Sequence, residues 1–167
     1  AHFAAARESI DAAHPWLPWC RPEYSVFESA QWVLSRDAAW QSGSECSFVI
    51  QHLATGTFLG SIGLGLAGQP LGSANLGYWV RSGWQRRGVA AAAIGQAARF
   101  AFAALGLQRV EIIAAVDNLP SQRAATRAGA QVEGVLRRRM PLHGRMHDAV
   151  VLSLVPSDLA EQGLTGP

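Results

Sequence analysis

Apolar positions follow two rhythms along this chain, a helical one of about 3.6 residues and a strand-like one of about 2. "HFAAARESIDAAHPWLPW" reads as helix until Pro15 and Pro18 stop it. Ser25 is the expected N-cap of a second helix, "SVFESAQWVLSRDAAW", in which Val26, Ala30, Val33 and Leu34 recur at helical spacing. The rhythm then shortens. "CSFVIQHL" and "FLGSIGLGL" flank "ATGT" and predict a hairpin, and "ANLGYWV" predicts a third strand. A long helix is expected from Gly88 to near Leu105, closing at Gly106. "RVEIIAAV" reads as a buried strand, and "LPSQRAATRAG" as a short helix with Gly129 at its C-terminal end. "QVEGVLRRRM" and "DAVVLSLV" complete the pattern as two strands joined by a "PLHGRMH" turn. On regular strand alternation Arg137 and Arg139 share one face and Arg138 takes the other. The order predicts a mixed α/β sandwich around one central sheet.

Composition narrows the classes. A chain of 167 residues, 49% hydrophobic and 16% charged, has the material for one domain, 1–167, with a real core. The residues from about 157 to 167 read as a loose tail, and the helical start suggests that a strand upstream is missing. A formal charge of +2 disfavours a general polyanion binder, and with it a nucleic-acid module resting on the arginine run alone. All 14 basic residues are arginine, which with abundant Ala and Gly fits a GC-rich bacterial coding sequence. Cys20 and Cys46 lie far apart, outside any CxxC or Cys/His cluster, so no metal site is expected and a reduced cytoplasmic setting is the default. No apolar run approaches the roughly 20 residues of a membrane span, and the N-terminus lacks a basic-then-apolar leader.

The sharpest local feature is "WQRRGVAAAAIGQAARF", where a basic turn opens a run of small helix formers. The first N–H groups of a helix lack intrahelical partners, and the dipole adds positive charge there. A pyrophosphate on that end would satisfy both, with Gly88 permitting close approach and Arg86 and Arg87 adding charge. An ordinary solvated turn fits the same residues equally well. Neither a Walker sequence nor GxGxxG is present, so nucleotide hydrolysis and a Rossmann site lose support.

Gln85-Arg86-Arg87-Gly88-Val89-Ala90 resembles the Q/R-x-x-G-x-G/A signature of the GNAT N-acetyltransferases. "LGYWV" upstream matches the same family. Downstream, "VDNLPSQRAATRAGAQVEGVLRRR" resembles the N-x-x-S…G…EG…R pattern of the branch that acetylates ribosomal-protein N-termini. "ESIDAAHPWLPW" and "HDAVVLSLV" extend the likeness over nearly the whole chain. The resemblance implies a mostly antiparallel mixed sheet, splayed between two strands and flanked by helices on both faces. It implies acetyl-CoA as co-substrate, with no metal, and a primary amine as acceptor. Tyr78, Trp79 and Val80 would pair with the pantetheine arm, residues Gln85 to Ala90 would cradle the pyrophosphate, and Asn118 would contact the arm. Ser121 would donate to the departing thiolate, although a helix N-cap is an equal reading of "NLPS". Arg127 would border the nucleotide end, and Trp16 or Trp19 the acceptor groove.

Two departures from the family bear on mechanism. The acidic tyrosine many members carry seven residues after the asparagine is Ala125 here, which favours Ser121. The glutamate some relatives use as base is Met140, leaving Glu28, Glu111, Glu133, His52, His143, His147 and Asp148, a water chain, or an amine that arrives neutral. Neither cysteine matches a motif position, so direct attack in a ternary complex is expected over a covalent intermediate. Detoxification of a small amine or antibiotic, and a non-catalytic CoA sensor, are the alternatives. Members of the family often dimerise.

Overall fold

The computed structural model describes residues 1–160, in which six strands form one sheet in the order β1-β2-β3-β4-β6-β5. These are β1 (Glu45–Gln51), β2 (Phe58–Gly65), β3 (Ser73–Val80), β4 (Arg109–Ala115), β5 (Gln131–Leu142) and β6 (Arg145–Leu154). Every neighbouring pair is antiparallel except β3 and β4. The helices are α1 (His2–Glu8), α2 (Ile10–Ala13), α3 (Val26–Gln41), α4 (Val89–Ala103), α5 (Leu119–Arg127) and α6 (Pro156–Ala160), with one 3₁₀ turn at Ser82–Trp84. The expected order of elements is recovered, except that the first predicted helix breaks at Ser9 into α1 and α2 and that α6 follows the last strand.

Strand periodicity divides the core by face. Leu64 and Leu76 of the sheet pack with Ile94, Ala97, Ala98 and Ala101 of α4 on one side. Trp79 and Phe58 point to the other side, where Ala5, Ala6, Cys20 and Tyr24 meet them. The alanines of α4 are what let a helix this long lie close on the strands. Its buried positions at 94, 97, 98 and 101 follow the 3.6-residue repeat.

Helix α3 forms where expected and Ser25 is its N-cap as expected, but its apolar spacing does not mark a buried face. Its apolar stripe is exposed, with Val26 64% and Leu34 78% accessible. A capping box starts it: Glu28 N–H donates to Ser25 Oγ at 3.2 Å and Ser25 N–H to Glu28 Oε2 at 2.9 Å. Its buried residue is Ser29, whose hydroxyl sits 2.8 Å from Nδ1 of His2. The His2 ring in turn stacks on Trp32 at 4.7 Å.

At the far edge, β5 departs from simple alternation. The register jumps from Leu136↔Ala149 to Met140↔His147, so Arg137, Arg138 and Arg139 form a bulge. Arg138 has φ 51° and its N–H donates to Asp148 Oδ1 at 2.7 Å. The expected sharing of faces by Arg137 and Arg139 therefore does not apply. The hairpin also closes more tightly than "PLHGRMH" suggested: β5 runs to Leu142 and β6 begins at Arg145. Only His143 (φ 49°) and Gly144 (φ 74°) form the turn, the two-residue left-handed type that matches strand twist. The loose-tail expectation is corrected for its first residues. Val155 N–H donates to Asp158 Oδ2 at 2.8 Å, opening α6, and Leu159 is buried in the core. Residues 161–167 of that tail lie outside the described residues.

Gly60 fixes how closely β2 approaches β3. It faces Val80 in register with φ 155°, and an added Cβ would lie 2.1 Å from the Trp79 carbonyl oxygen. Backbone cannot move aside as a side chain can. Gly60→Ala is expected to lower unfolding stability by about 2 kcal/mol or more, read as a lower urea midpoint.

Candidate active site

Strands β3 and β4 pair at only three positions, Ser73↔Arg109, Ala74↔Val110 and Asn75↔Glu111. Beyond them β3 stays with β2 as far as Val80, and β4 stays with β6 as far as Ala115. Each strand is held by its other neighbour, so the two separate. The backbone groups that would continue the parallel ladder are left facing a gap. A cleft of about 690 Å³ opens there. Leu76 to Val80 form one wall and Ile112 to Ala115 the other, and the openings of α4 and α5 complete it.

A hydroxyl pair bridges the opening. Tyr78, on β3 past the last paired residue, places its OH 2.9 Å from the Ser121 carbonyl oxygen and 2.8 Å from Ser121 Oγ. The carbonyl only accepts, so whenever Tyr78 donates to it the serine hydroxyl donates to the tyrosine oxygen. When Tyr78 donates to Ser121 Oγ instead, the serine proton is free for a third group. Burial pushes the Tyr78 pKa up, and the Ser121 hydrogen bond offsets part of this. The phenol therefore holds its proton through neutral pH. Asn118 is the N-cap of α5, its Oδ1 accepting from Ser121 N–H at 3.2 Å. The N-cap role weighed for Ser121 therefore falls to Asn118, and among the described residues the Ser121 hydroxyl meets only Tyr78.

The basic turn has the features of an anion site. Arg86 (φ 60°) and Gly88 (φ 80°) are both left-handed, an arrangement arginine adopts only under constraint. Gly88 is the N-cap of α4 without a side-chain cap, and the first turn holds no acidic residue. The first N–H groups of a 15-residue helix are thus left for something else. Gln85 Nε2–H donates to the Val80 carbonyl at 3.0 Å and ties the turn to the end of β3.

The cleft gathers most of the expected site residues: Trp16, Tyr78, Trp79, Val80, Gln85, Arg86, Gly88, Val89, Ala90, Asn118, Ser121 and Arg127. Two stay out. The Arg87 guanidinium stacks on Trp84 at 4.9 Å. Trp19 belongs to the aromatic cluster beneath, 5.7 Å from Trp79 and 5.2 Å from Tyr24. Arg123 was missed, although its four-residue spacing from Arg127 puts both on one face of α5.

Against known proteins, residues 1–131 match the family model described as "Acetyltransferase (GNAT) domain". The chain belongs to the GNAT acetyltransferase family. It is an acyltransferase. The N-acetyltransferase YoaA of Bacillus subtilis, itself uncharacterized, is 30% identical over 131 residues, 78% of this chain and 74% of that one. RimJ of Mycobacterium smegmatis, solved with CoA-disulfide, is 25% identical with a TM-score of 0.81 over 96% of this chain and 84% of its own. A chimera of the spermidine N-acetyltransferase SpeG from Vibrio cholerae shares the fold at 20% identity, TM-score 0.72, over 95% and 93% of the two chains.

For a GNAT protein the base is the open question, and the seven side chains named from sequence are all elsewhere. No Asp, Glu or His lines the cleft among the described residues. Glu28 is spent on the capping box and on Arg21. Glu111 and Glu133 both hold Arg109, and Glu133 also accepts from Ser153 Oγ at 2.6 Å. Arg109 accordingly pulls the Glu133 carboxyl down to about 2. His52 lies beside Trp84 and bonds Thr55, and Asp148 accepts from the bulge. His143 Nε2–H donates to the His14 carbonyl at 2.9 Å. Burial raises the pKa of both Cys20 and Cys46, and neither lines the cleft. Among the described residues no group of three His, Cys, Asp or Glu could hold a metal, and no helix is long and apolar enough to cross a membrane.

The hydroxyl bridge predicts a measurable stability term. Tyr78→Phe removes one partly buried hydrogen-bonding group and should cost about 1 kcal/mol of unfolding stability, measured by urea titration.

Proposed function

We propose that this acyltransferase moves the acetyl group of acetyl-CoA to the α-amine of a protein or peptide N-terminus, by direct attack within a ternary complex. The observation that carries the reading is the abandoned β3–β4 ladder ending at an uncapped helix N-terminus. A linear amide-bearing arm matches the ladder, and a pyrophosphate matches the helix end. Arg86, Arg123 and Arg127, which line the cleft and have no carboxylate partner among the described residues, suit the phosphates. The protein acceptor follows from the Asn118…Ser121…Gly129…Glu133-Gly134 pattern, which resembles the ribosomal-protein-acetylating branch. Trp16, Leu17 and Met140 would border the acceptor side.

The chain's own groups suffice for the chemistry. Backbone N–H groups along the open edge of β3 polarise the thioester carbonyl. The neutral amine attacks the carbonyl carbon, the C–S bond breaks, and the amine proton ends on the CoA sulfur. Ser121 donates a hydrogen bond to the departing sulfur while Tyr78 donates to Ser121 Oγ. The raised Tyr78 pKa makes it a fixed donor rather than a proton source. The buried, motif-free cysteines favour direct transfer.

Two outcomes check this. Thiol release with acetyl-CoA and N-terminal peptides should be lost about tenfold or more in kcat in Ser121→Ala, with the acetyl-CoA Kd unchanged. Because no Asp, Glu or His lines the cleft among the described residues, kcat/KM should rise with pH and break at the pKa of the acceptor amine, about 7.7–8.0 for an α-amine. Changing to an amine of lower pKa should move the break with it. A break that stays fixed across acceptors would point to a base on the enzyme and sink this mechanism.

A further inference from the structure

The arginines of this chain divide by location. Arg21, Arg36, Arg81 and Arg109 are held by Glu28, Glu45, Glu8 and the Glu111–Glu133 pair, and none of the four lines the cleft. Arg137, Arg138, Arg139 and Arg145 are exposed, and no carboxylate pairs with them among the described residues. All four sit on the β5–β6 hairpin. The segment from Arg137 to Asp148 holds four arginines and one aspartate, an excess larger than the +2 of the whole chain. The Asp148 carboxylate is engaged by a backbone N–H of the bulge.

This hairpin stands at the acceptor side of the cleft. Met140, next to Arg139, is a cleft residue, and so is Trp16. The hairpin tip is fastened to the segment leading into Trp16, with His143 bonded to the His14 carbonyl and the two rings 4.6 Å apart. Resting on the proposed transfer to an N-terminal amine, we propose that this arginine rim selects acidic acceptors, peptide N-termini whose first residues after the amine carry carboxylates. From the bulge, which faces Asp148, to Arg145 the rim spans three strand steps of β6, about 10 Å, the reach of some three extended residues. Unpaired surface arginines cost the fold little, yet they repel a polycation and steer an anionic chain to the cleft mouth. Spermidine-like acceptors are disfavoured by the same charges. β5 is the sheet's edge strand and is exposed at nearly every position, so an extended segment has room alongside it.

The test uses the full chain with CoA bound and two fluorescent peptides with the same N-terminal serine. One carries Asp and Glu after it, the other the corresponding Asn and Gln. The acidic peptide should bind about tenfold more tightly at low salt, as two or three modest ion pairs predict, and lose the advantage as salt rises. Arg137→Glu combined with Arg139→Glu should abolish the preference without changing acetyl-CoA affinity. If that double variant fails to fold, Arg145→Gln, on the other strand, should reduce the preference in the same assay. Equal binding of the two peptides would overturn the proposal, as would a preference that survives the arginine changes. Tighter binding of a short RNA on the same arginines would overturn it too. Tight acidic binding without acetyl transfer would leave the rim standing and sink the transfer reading. Acetylation of spermidine as efficiently as of the acidic peptide would do the reverse.

Discussion

The unfinished ladder between β3 and β4 is the constraint around which the molecule is arranged. Two parallel strands that begin to pair and then part must leave backbone donors and acceptors without partners. The sheet tolerates this because each strand is secured on its far side, β3 by β2 with Gly60 in close contact and β4 by β6. One side-chain bridge, Tyr78 to Ser121, spans the gap and ties the open edge of β3 to the start of α5. The same bridge puts a hydroxyl with a spare donor beside the separated strands. Packing, strand divergence and chemistry therefore share one origin.

Charge is arranged to complement that opening. The polar side chains lining the cleft are arginines, hydroxyls and the amides Gln85 and Asn118, with no carboxylate or imidazole among the described residues, while Glu111 and Glu133 are tied to Arg109. Such a site favours an anionic ligand on the helix end. On the proposed mechanism, deprotonation of the amine is left to the solvent and to the amine's own pKa. A left-handed Arg86 beside Gly88 is strain kept where the first N–H groups of α4 are presented.

Much of this was readable from residue order, for reasons that can be named. The long α4 followed from its alanines and the glycine before it, and the strands followed from apolar runs bounded by Gly and Pro. The turn at Gln85–Ala90 was legible because helix-end chemistry is local. Long-range contacts were not. Tyr78 meets Ser121 across 43 positions, and nothing in either neighbourhood signals it. The α3 stripe misled because a capping box and a histidine stack, rather than apolar burial, hold that helix. The bulge at Arg137–Arg139 was hidden because a carboxylate ten residues away, Asp148, sets it. Three of the base candidates were obscured in the same way: Glu133, His143 and Asp148 are engaged by Arg109, His14 and Arg138, each ten or more residues away.

Amide hydrogen exchange with and without acetyl-CoA tests the central claim most directly. The account predicts new protection at the cleft-facing amides of Gly77 to Val80 and at the first turn of α4, Val89 to Ala91, with little change in β1 or α3. Protection confined to other elements, or none at saturating acetyl-CoA, would mean that the open edge of β3 is not where the thioester lies.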